Sequence, residues 1–194
     1  MILSILAGLM IAVGGVINLS VGGALGAFMF SLGLLTVLIF KLELFTGKAG
    51  LLATNEMKIG KLSEIWIGNF IGTAIVAILL TLTPKGVDLF EKATQIVAIR
   101  NANDFYTNFV YGGFCGLMMY LAVSSYAVGG LNPVYAILPV AAFILCGFNH
   151  CVADMFYLNI GATALTDYLT LIPTTLGNIC GCCLIPWALR MKRS

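Results

Sequence analysis

Residues 1–40 contain no charged side chain. As a single helix they would extend about 60 Å, roughly twice the hydrocarbon thickness of a bilayer. The run must turn once, and the polar, glycine-bearing stretch Asn18–Gly23 is the place for it. That predicts a first helix over Ile2–Leu19 and a second over Ala24–Phe40. Further apolar runs predict helices over Ile65–Thr83, Phe105–Val128, Val134–Cys146 and Leu171–Leu189. Between the third and fourth, Pro84–Asp104 carries Lys85, Asp88, Glu91, Lys92, Arg100 and Asp104, a polar connection with room for an interfacial helix. Gly129–Pro133 is a turn, and Asp167 opens the last connection.

The pattern breaks twice. The second run ends in Lys41-Leu42-Glu43-Leu44-Phe45-Thr46-Gly47-Lys48, followed by a short apolar piece and the polar segment Asn55–Glu64. This reads either as a discontinuous helix, whose irregular backbone needs a protein-lined cavity, or as an interfacial loop with Lys48 snorkelling. The fifth run is also short and ends in Cys146–Tyr157, which holds the only histidine, His150, and Asp154. Histidine and aspartate are costly in hydrocarbon, and glycine, asparagine and aspartate are poor mid-helix residues. The stretch is read as a helix broken so that His150 faces a permeation path. The opposing reading is a core histidine satisfied by its neighbours.

Composition fixes the class. The 194 residues are 60% hydrophobic and 9% charged, against about 25% charged in a soluble domain, and mean hydropathy is +1.04. The chain reads as a single all-α integral membrane domain over residues 1–194. A net charge of +2, with no basic, aromatic-interleaved patch, excludes a nucleic-acid partner. No basic region precedes the first run, so no cleaved secretory leader is expected. The six cysteines lie in apolar segments and read as small buried residues. No histidine or carboxylate stands beside Cys180, Cys182 and Cys183, so neither a metal nor another cofactor is expected. No nucleophile–base motif points to an enzyme. With the N-terminus inside, inner segments carry Lys48, Lys58, Lys61, Arg190, Lys192 and Arg193, and outer segments carry Lys85, Lys92 and Arg100. The positive-inside rule then gives a multi-pass protein of the inner (plasma) membrane with both termini cytoplasmic.

The two halves, about 1–83 and 105–189, echo each other. Gly68-Asn69-Phe70-Ile71-Gly72 and Gly177-Asn178-Ile179-Cys180-Gly181 both read GN-x-x-G, and each follows a short, broken run. Thr46 precedes Asn69 by 23 residues and His150 precedes Asn178 by 28. Three spans per half make the halves inverted, and inverted repeats with matching broken helices point to a midplane site.

Four motifs in order resemble the formate/nitrite transporters: Phe30-Ser31-Leu32-Gly33-Leu34, Glu43-Leu44-Phe45-Thr46-Gly47, Gly147-Phe148-Asn149-His150-Cys151-Val152-Ala153, and Ile172-Pro173-Thr174-Thr175-Leu176-Gly177-Asn178. The resemblance covers nearly the whole chain. It implies an aquaporin-like protomer of six transmembrane helices, an inverted 3+3 repeat with helices 2 and 5 broken. It further implies a homopentamer in the lipid bilayer, with a pore in each protomer for small monovalent weak-acid anions such as formate, nitrite, acetate, lactate or hydrosulfide. By the same resemblance His150 is the central pore histidine and Thr46 faces it. Leu34, Leu44 and Phe45 form the cytoplasmic constriction, Phe30, Phe143 and Met119 the outer one, and Arg100 draws anions to the pore mouth.

The departures are Asn149, where the family has glutamate, Asp154 for asparagine, Lys41 for a small residue and Lys48 for asparagine. Asn149 and Lys48 are placed on the substrate pathway beside His150. Asp154 is expected to pair with Lys41 or another lysine, and Glu43 to hold the first loop by accepting backbone N–H bonds. The expected mechanism is that His150, assisted by Thr46, protonates or hydrogen-bonds the permeant, since an unpaired anion is costly in a low dielectric and imidazole exchanges protons near neutrality. The alternative function is a channel for a small neutral solute: ammonia, urea or hydrogen sulfide.

Overall fold

The computed structural model describes residues 1–192; Arg193 of the basic C-terminal group lies outside them. Helices α1 (Ile2–Val21) and α2 (Gly23–Ile39) are followed by a one-turn α3 (Phe45–Lys48) and a 3-10 turn, Ala49–Leu52. Next come α4 (Ile59–Thr81), α5 (Pro84–Ala102), α6 (Phe105–Val128), α7 (Val134–Leu145) and α8 (Cys151–Gly161). A second 3-10 turn, Leu165–Thr170, leads into α9 (Leu171–Met191). The described residues contain no strand.

The expected helices are present. α1, α4, α6 and the stretch Leu165–Met191 are each long and apolar enough to cross a membrane, while α2 and α7 are shorter apolar helices. Outward faces are apolar; on α4, for example, Ile67, Ile71, Ile75 and Ile78 are exposed. Such a surface suits hydrocarbon or a neighbouring protein rather than water. α4 starts six residues before the expected Ile65, because Lys61 and Glu64 lie on an exposed face where they pair at 3.1 Å. Two of the cysteines read as buried, Cys146 and Cys180, are exposed in the single chain, and Cys183 is half-buried. Cys146 follows the end of α7 at the rim of a cavity, and the Cys183 thiol donates to Ala49 O at 3.4 Å, placements that periodicity alone does not fix.

The turn between α1 and α2 is made by two glycines with positive φ, Gly22 at 72° and Gly23 at 57°. α2 and α7 end in the same way. In α2 the Leu42 N–H donates to Val37 O at 2.9 Å around Lys41, held at φ 52°. In α7 the Phe148 N–H donates to Phe143 O at 2.9 Å around Gly147, at φ 71°. These are Schellman-type caps, which require a left-handed residue after the helix. After each, the backbone extends, at Leu44 (φ −95°, ψ 132°) and at His150 (φ −101°, ψ 109°), before the next helix starts.

The helix pairs α1/α4 and α6/α9 meet at very short range. A Cβ on Gly72 would run into the Ile5 carbonyl, and one on Gly181 into the Gly113 carbonyl. Both glycines close the GN-x-x-G stretches, so small residues are what allow these backbones to touch. α5 opens with Pro84 at its first turn and buries Gly86, Leu89, Ala93 and Val97, one stripe at helical spacing. Hydrogen bonds from Lys85 and Lys92 on its outer face hold the Asp88 carboxyl below the usual carboxylate range. Arg100 follows Val97 by three residues and so turns inward with the buried stripe.

Candidate functional site

Two asparagines hold the two extended breaks. Asn69 Oδ1 accepts the Phe45 N–H at 2.8 Å, and its amide donates to Ser4 O at 2.7 Å and Glu43 O at 2.9 Å. Asn178 Oδ1 accepts the Cys151 N–H at 2.8 Å, and its amide donates to Gly112 O and Asn149 O, both at 2.8 Å. Both asparagines are fully buried. Each satisfies two backbone groups of a break that no helix ladder serves, Phe45 N–H with Glu43 O and Cys151 N–H with Asn149 O, and ties the break to a carbonyl inside a neighbouring helix, Ser4 O of α1 or Gly112 O of α6.

The breaks meet at His150 and Thr46. Nε2 of His150 lies 2.9 Å from Thr46 Oγ1, and Nδ1 accepts the Ala153 N–H at 3.1 Å, capping α8. These partners assign the tautomer: Nδ1 is the acceptor, so the ring proton sits on Nε2 and points at Thr46. The imidazole is buried and stacks on Phe143, with centroids 5.5 Å apart and planes at 16°. Phe143 meets Phe30 edge-on at 6.2 Å. From α9, the Cys182 thiol donates to Thr46 O at 3.3 Å and to Gly116 O at 3.2 Å, bracing the threonine.

Cavities approach this pair from two sides. One, of about 370 Å³, is lined by Phe30, Phe143, His150, Arg100, Asp154 and Tyr157, among others. The other, of about 360 Å³, is lined by Leu34, Leu44, Lys41, Lys48 and apolar neighbours. Phe30 and Leu34 are one turn apart on α2, yet each faces a different cavity, so the barrier between the cavities is thin at this level.

Several expected placements change. Asp154 pairs with Arg100 from α5, Oδ1 to Nε at 3.4 Å, and not with a lysine. Lys41 lies at the end of α2, lining the other cavity, out of Asp154's reach. Glu43 accepts from the Ser4 hydroxyl at 3.2 Å and stands 4.0 Å from Lys61; the loop N–H goes to Asn69 instead. Asn149 lines neither cavity. Its amide donates to Asn108 Oδ1 at 2.8 Å and Thr174 Oγ1 at 3.4 Å, and Asn108 in turn donates to Arg100 O at 2.9 Å. Asn149 thus braces the histidine loop against the end of α5. Phe45 is buried facing Leu62, Trp66 and Ile179, away from both cavities. Leu44 is extended while Phe45 opens α3, and across that change of backbone the two side chains leave in different directions. Met119 is buried on α6 and lines neither cavity. No cluster of metal-ligating side chains occurs among the described residues.

A model of the formate/nitrite transporter family matches residues 1–191. The chain belongs to that family. Among its relatives, the formate channel FocA of Haemophilus influenzae is 28% identical over 198 residues, covering 80% of this chain and 69% of that one. A probable formate transporter of Methanothermobacter thermautotrophicus is 27% identical over 229 residues, covering 93% and 83%. A solved pentameric formate channel with formate bound superposes at a TM-score of 0.83 over 100% of this chain and 96% of that one, at 24% identity. Membership places the chain among membrane transport proteins, so the enzyme reading is set aside. The residues that sequence reasoning missed, Asn69, Asn108, Asn178 and Tyr157, are uncharged polar groups in apolar spans, and the doubled GN-x-x-G pattern was the one signal for two of them.

Proposed function

We propose that the chain is a membrane channel for small monovalent weak-acid anions of the formate and nitrite type. The buried His150–Thr46 hydrogen bond between two cavities is the observation that carries this reading. Formate is the first candidate, given the relatives' names. Each cavity has a cationic side chain in its wall, Arg100 on one side and Lys41 with Lys48 on the other. Cationic walls raise the local concentration of anions. The neutral-solute alternative has no use for them.

An anion entering the barrier loses hydration, and fixed donors must replace it. With Nδ1 occupied by the Ala153 N–H, His150 offers one proton, on Nε2. That geometry supports hydrogen bonding to the permeant, relayed through the Thr46 hydroxyl, over outright transfer of the proton. Phe30 and Phe143 on one side, with Leu34 and Leu44 on the other, form the apolar walls that exclude a hydrated ion.

The assembly reading has six spans, with the second (α2–α3) and fifth (α7–α8) interrupted, in two inverted halves. The matched caps and asparagine clamps support it. Lys48, Lys58, Lys61 and Arg190 lie at the same end as the N-terminus; Ser4 meets Glu43 there, and Arg190 donates to Ala53 O at 3.0 Å. This supports both termini facing the cytoplasm of the inner membrane, so the Arg100 cavity is the outer one. The pentameric solved relative and the exposed apolar faces support a homopentamer. Formate flux into liposomes containing the purified protein is the test. His150→Ala should cut it at least about tenfold, the scale of one lost donor in a desolvated site. Wild-type flux and pH dependence in that variant would refute the reading.

A further inference from the structure

Arg100 and Asp154 sit together in the outer cavity, with side-chain exposures of 12% and 5%. The geometry of the pair is poor for one that serves only structure. Contact is through a single oxygen at 3.4 Å, against about 2.7–2.9 Å for a good charge-assisted bond. Asp154 Oδ2 is buried without any hydrogen-bond partner. A structural Arg–carboxylate pair in this setting would engage both oxygens. The guanidinium has a second partner, as Nη1 donates to Gly147 O at 3.2 Å. The guanidinium therefore stays in place if Asp154 lets go.

A carboxylate side chain resting on the one cation of an outer anion cavity has the chemistry of the permeant itself. We propose that Asp154 is a tethered competitor, which occupies Arg100 in the empty protein and yields it to an incoming small carboxylate or nitrite. The proposal rests on the anion-channel reading above. About 370 Å³ of cavity surrounds the pair, several times the roughly 30 Å³ share of a water molecule in the liquid, so the anion and the displaced carboxylate fit together. The competition sets how tightly the outer mouth holds its anion, and it keeps occupancy low enough for the ion to move on.

Acid weakens the competitor, because a protonated Asp154 no longer holds Arg100. The ionisable groups around Asp154 are Arg100 from α5, Cys115 from α6, and His150, Cys151 and Tyr157 of its own segment. α1 carries no ionisable side chain, Lys48 of α3 lines the opposite cavity, Lys61 and Glu64 of α4 lie at its start beside Glu43, and on α9 Cys182 turns to Gly116, Cys183 to Ala49 and Arg190 to Ala53, while Cys180 is exposed.

The test uses Asp154→Asn, which keeps the shape and is the residue type expected here from the family. Binding of ¹³C-formate to the purified protein is followed by NMR line broadening at pH 7.5 and 5.5, with flux in liposomes alongside. At pH 7.5 the variant should bind formate about three- to tenfold more tightly than wild type, the scale of losing one partly exposed charge contact. Any change in that advantage on acidification should be a decrease, as protonation of Asp154 releases Arg100. Arg100→Gln placed on top of Asp154→Asn should abolish it. Unchanged or weaker binding in Asp154→Asn, or a gain that survives loss of Arg100, would overturn the proposal while leaving the channel reading intact. Absence of formate flux in wild type would overturn both.

Discussion

The two asparagine clamps give the sharpest quantitative expectation. Asn178→Ala removes one acceptor and two donor contacts at once, leaving the Cys151 N–H and the Gly112 and Asn149 carbonyls without those partners. The site is fully buried and lies between α6, α8 and α9, so water has no ready route in. Gly112 O keeps its helix partner within α6, so two groups are orphaned, and at about 1–3 kcal/mol each the loss is about 2 kcal/mol or more. At roughly 2–4 °C per kcal/mol for a chain of this size, the melting midpoint in detergent should fall by about 4–8 °C or more. Asn178→Asp is the informative companion. It keeps the acceptor for Cys151 but turns an oxygen toward two carbonyl oxygens, so it should do no better than alanine. Asn69→Ala should behave alike through Phe45, Ser4 and Glu43. Fluorescence-detected size exclusion after heating reads the midpoint. If Asn178→Ala and Asn69→Ala both melt within about 2 °C of wild type, the clamps do not hold the breaks.

Other expectations follow from the same geometry. Thr46→Val keeps shape but removes the partner of His150 Nε2, and should lower formate flux in liposomes by about tenfold with little change in melting. Lys41→Gln with Lys48→Gln should slow anion flux at low ionic strength, and the deficit should narrow in about 1 M salt, where screening reaches a few ångströms; a deficit independent of salt would mean the lysines act by packing. Gly181→Leu should prevent α6 and α9 from closing and abolish the folded peak in size exclusion, whereas Gly60→Leu, where a Cβ meets nothing within 4 Å, should be tolerated.

The helices were readable because long uncharged runs admit few alternatives, and the break at His150 was readable because polar residues stand out in such a run. Direction was harder. Asn149 and His150 are adjacent, yet one turns to Asn108 and the other to Thr46, and nothing in the order of residues says which. The partner of Asp154 lies 54 positions away on α5, while lysines nearer the motifs looked equally able to pair. Resemblance puts Phe45 in a wall, and the extended backbone at Leu44 turns it the other way. The asparagine repeat was visible, but its task was not. A buried amide that bonds three backbone groups leaves no mark in composition.

The caps of α2 and α7 differ in one residue, and that difference has a consequence for engineering. The left-handed position is Gly147 in α7 but Lys41 in α2. A lysine with a Cβ at that backbone angle costs about 1 kcal/mol relative to glycine. Lys41→Gly should therefore give a hardier protein and, by emptying one cationic position in the cavity lined by Leu34 and Leu44, a slower one. A laboratory selection for heat resistance alone would drift toward glycine here, and a selection for anion throughput would drift back.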